Sequence, residues 1–375
     1  MRIAVNARLL LKDKLEGIGW FAHQILSRMV RNHPEHQFIF FFDRPWDDEF
    51  IFGDNVEPVL LKPQARHPFL YYIWTENALP RALKKYKADV YFSPDMLGCL
   101  HTKVPVVFTI HDLAYKHYPQ YMDRLHRWHY GRFMPRFAKK ATKIIAVSEF
   151  TKQDIIKRLH VPAEKIEVIY NGVHKAYQPL PYSETEAIRN KYTDGQEFFL
   201  FTGALHPRKN IINLLKAFVY FKRRQRSPIK LVIVGRMAWQ FEEIEKARRL
   251  MPFKDDVVWT GYMGVEELAK LTASAYALVY PSLFEGFGIP ILEAMTCGVP
   301  VIVSDSSSMP EVAGNAGLLV NPNQPEDIAG KMMAIYKDET LRNHLINNAL
   351  AQKNKFNWDK SAEKLWQILA EVAKK

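Results

Sequence analysis

Short runs of β-branched and aromatic residues alternate along the chain with longer stretches whose apolar residues recur at helical spacing. This is the pattern of βαβ units built around a parallel sheet. In the first half, Ile3–Asn6, Phe38–Phe42, Val90–Ser93, Val106–Ile110 and Ile144–Val147 predict strands, with helices over Gly19–Arg31, Glu76–Tyr86 and Arg124–Lys140. The texture then changes: Asn171–Gly195 carries Pro179, Leu180 and Pro181 and reads as a linker. A second series of strands follows at Phe198–Thr202, Leu231–Val234, Val257–Trp259, Ala277–Tyr280, Val301–Val303 and Gly317–Val320. The expectation is an α/β chain of two Rossmann-like, doubly wound domains, 1–172 and 195–357, with the linker at about 173–194. In such sheets ligands gather at the carboxyl ends of the strands, so motifs directly after strands are the ones to read for chemistry.

Composition narrows this picture without redrawing it. The 375 residues, 48% hydrophobic and 25% charged, suit two globular domains rather than a disordered chain. Arg8 and Lys12 interrupt the first apolar stretch and no small-residue cleavage site follows, so no secretory signal is expected. No apolar run approaches the ~18–20 residues of a membrane span. Cys99 and Cys297 are too few for a disulfide framework or a cysteine-based zinc site. The expected compartment is the cytoplasm.

The formal net charge is +12, which favours anionic partners. It is concentrated: Arg124, Arg127, Arg132, Arg136, Lys139, Lys140 and Lys143 occur with no acidic residue among them, interleaved with Trp128, Tyr130, Phe133 and Phe137. One reading is a solvated helix with its aromatics in the core. The other is a surface for anionic lipid or a lipid-diphosphate acceptor, near which each cation contributes about 1 kcal/mol.

Four motifs follow strands. In Glu285-Gly-Phe-Gly-Ile-Pro-Ile-Leu-Glu293, Gly286 and Gly288 allow a tight turn and close approach of a ligand, and Pro290 suits the first turn of a helix. The amides around Phe287–Ile289 would then form a helix N-terminus fit for phosphate. Glu293, one turn into that helix, would reach vicinal hydroxyls of a ribose, and Glu285 the sugar being transferred. A helix cap plus a surface acid is the plain alternative. In Gly203-Ala-Leu-His-Pro-Arg-Lys-Asn210, Arg208 and Lys209 stand at the start of a helix, Ile211–Lys222, whose dipole they oppose. A diphosphate would satisfy both; a solvated basic turn is the alternative. Glu16-Gly-Ile-Gly-Trp20 is a shorter glycine-rich βα turn at Gly17 and Gly19, weak by itself. His111-Asp112 closes a strand at its carboxyl edge, a position where a histidine is more often structural. There is no P-loop, nucleophile elbow, HExxH or strand-end Asp-x-Asp, and Asp255-Asp256 reads as a turn before a strand. Charge on a departing diphosphate would thus be met by Arg208, Lys209 and backbone amides, with no metal site.

At these residues the chain resembles the retaining glycosyltransferases of family 4, with the GT-B fold. The resemblance covers nearly the whole length. It rests on Glu285 and Glu293 at E-x7-E spacing, the Arg208-Lys209 pair and the Gly17/Gly19 loop, together with IHD at Ile110–Asp112, VSEFT at Val147–Thr151, YNGV at Tyr170–Val173, IVGR at Ile233–Arg236, GYM at Gly261–Met263 and MPEVAG at Met309–Gly314. It implies two Rossmann-like domains facing across a cleft, with a final helix, about 358–375, crossing back to the first. It further implies that Glu293 binds the ribose, Arg208 and Lys209 the diphosphate and Glu285 the donor sugar's hydroxyls. His111 would sit by the reacting carbon, and the turns Arg236–Met237 and Tyr262–Met263 would frame the base.

The implied reaction is transfer with retention and without a divalent metal or other cofactor. No residue is an obvious covalent nucleophile, which favours front-face attack, with the leaving phosphate taking the acceptor's proton. The co-substrate is a nucleotide sugar, GDP-mannose or a UDP-sugar, since the resemblance is nearest to bacterial enzymes that build surface polysaccharide. Phe69, Tyr71, Tyr72, Trp74 and the basic stretch fit a lipid-linked glycan acceptor, and core packing would explain the same aromatics. The rivals are a nucleotide-sugar epimerase on the same fold, an inactive nucleotide-sugar sensor and a nucleic-acid binder, for which no motif is present.

Overall fold

A computed structural model describes residues 1–12, 15, 17–236 and 242–374. The chain divides into two compact units, Met1–Asn171 with Asn357–Lys375, and Gly172–Phe356. The first holds seven strands: β1 (Arg2–Asn6), β2 (Gln37–Phe42), β3 (Val56–Leu60), β4 (Val90–Ser93), β5 (Val106–Ile110), β6 (Lys143–Ala146) and β7 (Ile166–Val168). The second holds β8 (Phe198–Thr202), β9 (Lys230–Val234), β10 (Val257–Gly261), β11 (Ala277–Tyr280), β12 (Val301–Ser304) and β13 (Gly317–Val320).

Every pairing is parallel, in the orders β3-β2-β1-β4-β5-β6-β7 and β10-β9-β8-β11-β12-β13. Strands covered by helices on both faces have no polar side, which is why Phe38–Phe42 and Phe198–Phe201 are unbroken apolar runs and fully buried. In the first sheet Ala4 lies in register between Ile39 and Tyr91, so β1 sits at the core of its unit. The strand order reverses at β1/β4 in one unit and at β8/β11 in the other. At such points the flanking loops diverge and leave a crevice.

Two edge strands, β3 and β7, depart from the sequence expectation. β3 contains Glu57 and Pro58, and a proline is tolerated only where one side of the strand is unpaired. β7 has three residues, too few to show a period. The expected helix Gly19–Arg31 is α1, Gly17–Asn32, and the expected helix Glu76–Tyr86 is part of a longer run: α2 is Pro68–Ile73, a π-type turn follows at Trp74–Ala78, and a further helical segment continues over Leu79–Lys85.

Helix α3, Arg124–Lys140, has the predicted bounds, and Asp123 caps it by accepting from the Leu125 and His126 amides. The stretch read as a linker is corrected in one respect. It carries a 12-residue helix, α4 (Tyr182–Thr193), pinned in the second unit where Lys191 Nζ and Tyr192 Oη each lie 2.6 Å from Glu267 Oε1. The remaining helices that matter for function are α5 (Ile211–Gln225), α6 (Ile289–Thr296) and α7 (Trp358–Ala373). The last packs in the first unit, with Arg28 Nε 2.6 Å from Asp359 and the Trp366 ring stacked 3.7 Å from His33. No helix among the described residues is long and apolar enough to cross a membrane.

Candidate active site

In the second unit the loops after the adjacent strands β8 and β11 come together. After β8, a single 3-10 turn over Pro207–Lys209 precedes α5, and Asn210 joins the two in the left-handed region, φ 62°. The Asn210 amide donates to the carbonyls of Pro281 (3.0 Å) and Pro322 (2.6 Å), which ties this loop to the one after β11. The Leu283 amide donates to the Arg208 carbonyl at 2.8 Å, and the Arg208 guanidinium donates to the Phe284 carbonyl. The loops are thus stitched by backbone as well as side chain.

Their chemical centre is Glu285. Its carboxylate takes Lys209 Nζ at 2.7 Å and Arg208 Nη1 at 3.2 Å. The Tyr280 hydroxyl lies 2.6 Å from Lys209 Nζ and 3.3 Å from Glu285 Oε1. Burial by itself would push the Glu285 carboxyl up, but Lys209 and Arg208 outweigh it and hold it at about 2. The two cations opposing the α5 dipole therefore have an anion already, which the sequence argument did not anticipate. It followed from the pairing of β8 with β11. Ser307 accepts the Glu285 amide at 3.0 Å, and Ser308 donates to the carbonyls of Glu285 and Phe287, both at 2.9 Å.

Gly288 opens α6 at φ 96°, a conformation that L side chains avoid, with Pro290 in the first turn. Phe287 is buried, its ring edge-on to Phe356. Glu293 is half-buried on α6 and bonded to the Tyr177 hydroxyl, and burial pushes its carboxyl up to about 7 against that bond. Arg236 and Tyr262 are exposed and Met263 is half-buried; Met237 lies outside the described residues. The glycines after β8 and β9 lie close together. A Cβ on Gly235 would fall 1.9 Å from the Gly203 carbonyl oxygen, and the Gly235 amide donates to Gly261 at 2.9 Å.

The first unit holds the other expected residues. Gly17 begins α1, and a Cβ there would meet nothing within 4 Å. Gly19 is required by packing, because a Cβ would come 2.9 Å from the Leu9 carbonyl oxygen. Glu16 lies outside the described residues. His111, after β5, is half-buried against the edge of Phe21 (centroids 5.1 Å apart) with Nε2 2.7 Å from the Pro94 carbonyl. A carbonyl only accepts, so Nε2 bears the hydrogen. Burial lowers the ring's pKa, which keeps it neutral with Nδ1 as its acceptor.

On α3 the two readings of the aromatics divide by residue. Phe133 and Phe137 are core, whereas Leu125 and Trp128 are exposed, as are Phe69 and Tyr72 of α2. The Tyr72 and Trp128 rings both lie against Phe133, at 5.5 and 6.1 Å between centroids, and Arg124, Arg127, Arg132 and Arg136 of α3 are exposed. No group of three or more His, Cys, Asp or Glu able to hold a metal occurs among the described residues.

Residues 183–352 match the family described as glycosyl transferases group 1, and residues 15–177 match glycosyltransferase family 4. O-antigen chain mannosyltransferase B of Escherichia coli is 29% identical over 364 residues, 93% of this chain and 94% of that protein. O-antigen chain mannosyltransferase RfbU of Salmonella typhimurium is 32% identical over 326 residues, 84% of each. Among solved structures, Anabaena Alr3699/HepE in complex with UDP and glucose superposes with a TM-score of 0.77 at 16% identity, covering 99% of this chain and 100% of that one, a likeness of fold. The chain belongs to these glycosyltransferases and has their GT-B fold.

Proposed function

We propose that this glycosyltransferase moves a mannosyl group from GDP-mannose to a lipid-linked glycan during surface-polysaccharide synthesis, with retention and without a divalent metal. The observation that carries the donor reading is the Arg208–Lys209–Glu285 cluster at the β8/β11 reversal. Two cations fixed side by side, one planar and one a point charge, suit a diphosphate. When it arrives, the cations exchange Glu285 for phosphate oxygens and the freed carboxylate accepts from hydroxyls of the sugar. Gly286, Phe287 and Gly288 lead the chain into α6 with their amides beside the phosphates, and Glu293 accepts from the ribose hydroxyls. Arg236, Tyr262 and Met263 border the base, and Gly17 and Gly19 open α1 of the first unit with their amides available to an anionic ligand.

In the transfer, negative charge grows on the leaving diphosphate. Arg208 and Lys209 are already in place for it, so little reorganisation is required. The leaving phosphate takes the acceptor hydroxyl's proton as that oxygen attacks from the same face, and His111 accepts a sugar hydroxyl at Nδ1. Mannose as the sugar rests on the two O-antigen mannosyltransferase relatives.

The exposed aromatic residues of α2 and α3, with the exposed arginines of α3, would rest on the acidic headgroups of a bilayer and bring the protein to a lipid-borne acceptor. Flotation with phosphatidylglycerol and phosphatidylcholine vesicles tests this part. Binding should need the acidic lipid and weaken with salt and in Arg124→Glu/Arg127→Glu/Arg132→Glu, while equal binding to both vesicles would exclude it.

Incubation with GDP-mannose and a lipid-linked glycan in EDTA, with the product's anomeric configuration read by NMR, tests the reaction. The proposal requires an α-linked product from the α-linked donor. Inversion, or dependence on added metal, contradicts the mechanism, and epimerised donor without acceptor points to the epimerase.

A further inference from the structure

The first unit has its own reversal point, β1/β4, and a buried polar cluster gathers there. Asn6 ends β1, and its buried amide donates to Ser93 Oγ at 3.0 Å and Asp95 Oδ1 at 2.9 Å. Ser93 Oγ also donates to Asp95 Oδ1 at 2.8 Å, as does the Leu97 amide at 3.0 Å. Asp95 Oδ2 takes Arg8 Nη2 at 2.6 Å. Arg8 Nη1 in turn donates to the Ala65 carbonyl at 3.0 Å, and the guanidinium lies over the Tyr71 ring, 5.1 Å from its centroid.

Asp95, 3% exposed, thus has both oxygens engaged and fixes the turn Ser93-Pro94-Asp95 from both ends. The middle residue of that turn supplies the carbonyl that receives His111 Nε2–H. Pro94 has no N–H, so this carbonyl is the only hydrogen-bonding group its backbone offers, and its direction follows the turn. An ion pair buried this deeply is a poor means of stabilising a fold, since desolvation offsets much of the attraction. It is a good means of holding one backbone oxygen still.

We propose that Asp95, with Arg8 and Asn6, is a positioning group for transfer: it holds the Pro94 carbonyl where it selects the Nε2–H tautomer of His111 and leaves Nδ1 as the acceptor. The inference rests on the reading of His111 given above. Its structural half stands apart from that reading, because a tautomer is measured without substrate. A displaced turn lets the ring exchange tautomers, and an Nδ1–H ring then presents a donor where a sugar hydroxyl needs an acceptor. Asp95 and Asp112 are the charged groups that act on the ring, and both favour its protonated form.

The test uses the full chain labelled with 15N-histidine. Long-range proton–nitrogen spectra, with the His111 signals assigned by their loss in His111→Gln, should show Nε2 protonated and Nδ1 bare in the wild type. Asp95→Asn should give intermediate shifts at both nitrogens, a pH profile of turnover displaced from the wild type's, and a fall in kcat of roughly 10–100-fold, the scale of a small misplacement, with donor KM little changed. Ser93→Ala removes one donor to Asp95 and one acceptor of the Asn6 amide, and leaves the Arg8–Asp95 ion pair in place. It should show a smaller mixing of tautomers in a folded protein, and it decides the matter if Asp95→Asn does not fold. An unchanged tautomer in the folded variants overturns the positioning role. Mixed tautomers with wild-type kcat overturn its service to transfer while leaving donor binding by the second unit untouched.

Discussion

Replacing Glu285 by Gln removes the anion that holds Arg208 and Lys209 in the ligand-free protein. The three side chains keep exposures of 10, 21 and 14%, so water screens their attraction only in part. The pair of cations holds the carboxyl at about 2 against an ordinary 4.5. A difference of that size corresponds to about 3 kcal/mol between protonation states. Since the folded value lies below the unfolded one, this stabilisation is complete above about pH 4.5 and is lost as the pH falls toward about 2. Glu285→Gln keeps the volume and removes the charge, so near neutral pH it should cost about 3 kcal/mol, or roughly 6–12 °C in Tm for a unit of this size.

The variant should also lose less stability than the wild type on acidification. Added GDP supplies an anion to the two vacated cations, so it should raise the variant's Tm by more than the wild type's. Turnover should fall roughly 10²–10³-fold, the scale of one preorganised charge contact. Calorimetric melts at neutral and acid pH, with and without GDP, read all of this except turnover. A Tm loss under about 2 °C would refute the energetic role of the pair. An equal effect of GDP on both proteins would refute the cations as the diphosphate site.

Three further outcomes follow from the same geometry. Arg208→Ala should lower turnover roughly 10²–10³-fold; a loss under about tenfold removes it from the diphosphate site. Glu293, raised to about 7 by burial, favours the fold most when protonated, below about pH 4.5, and that contribution is gone once the pH has risen through about 7. If the ribose hydroxyls donate to this carboxylate as proposed, nucleotide affinity in calorimetric titrations should climb through about pH 7 more steeply in the wild type than in Glu293→Gln, where only the nucleotide's own phosphate titrates; identical profiles would place the ribose elsewhere. Asn210→Ala orphans the Pro281 carbonyl, leaves that of Pro322 with Asn213 alone as donor, and puts Ala at positive φ, which should cost about 2–4 kcal/mol in denaturant melts; a cost under about 0.5 kcal/mol would mean the loops do not depend on it.

What the sequence disclosed and what it withheld divide on a physical line. Central strands such as Phe38–Phe42 and Phe198–Thr202 are legible because burial on both faces leaves a continuous apolar run. Helix α3 is legible at its start, where Asp123 caps it; nothing in Ala141 marks its end. Val56–Leu60 is not, because an edge strand tolerates Glu57 and Pro58. Pro179 and Pro181 signal a break but not the helix that begins at Tyr182, whose anchor is Glu267, far along the chain. The same line runs through the site. Arg208, Lys209, Glu285 and Glu293 stand out because they follow strands beside glycines. That Glu285 neutralises the other two depends on β8 lying next to β11, which no local pattern states. Asn6, Ser93 and Asp95 carry a usable sign, three polar residues at the carboxyl ends of two apolar strands. Asn210 and Ser307 carried no sign, since their positive φ angles belong to the folded loops alone.

The central claim, that the second unit binds a nucleoside diphosphate through these residues, is tested most directly by calorimetric titration of the wild type and Glu293→Ala with GDP, UDP and ADP in the absence of metal. The account predicts that GDP binds the wild type without metal and that Glu293→Ala loses that binding by roughly tenfold or more, the scale of one charge-assisted contact. No binding of any of the three at about millimolar concentration, a free energy no better than about −4 kcal/mol, would contradict it.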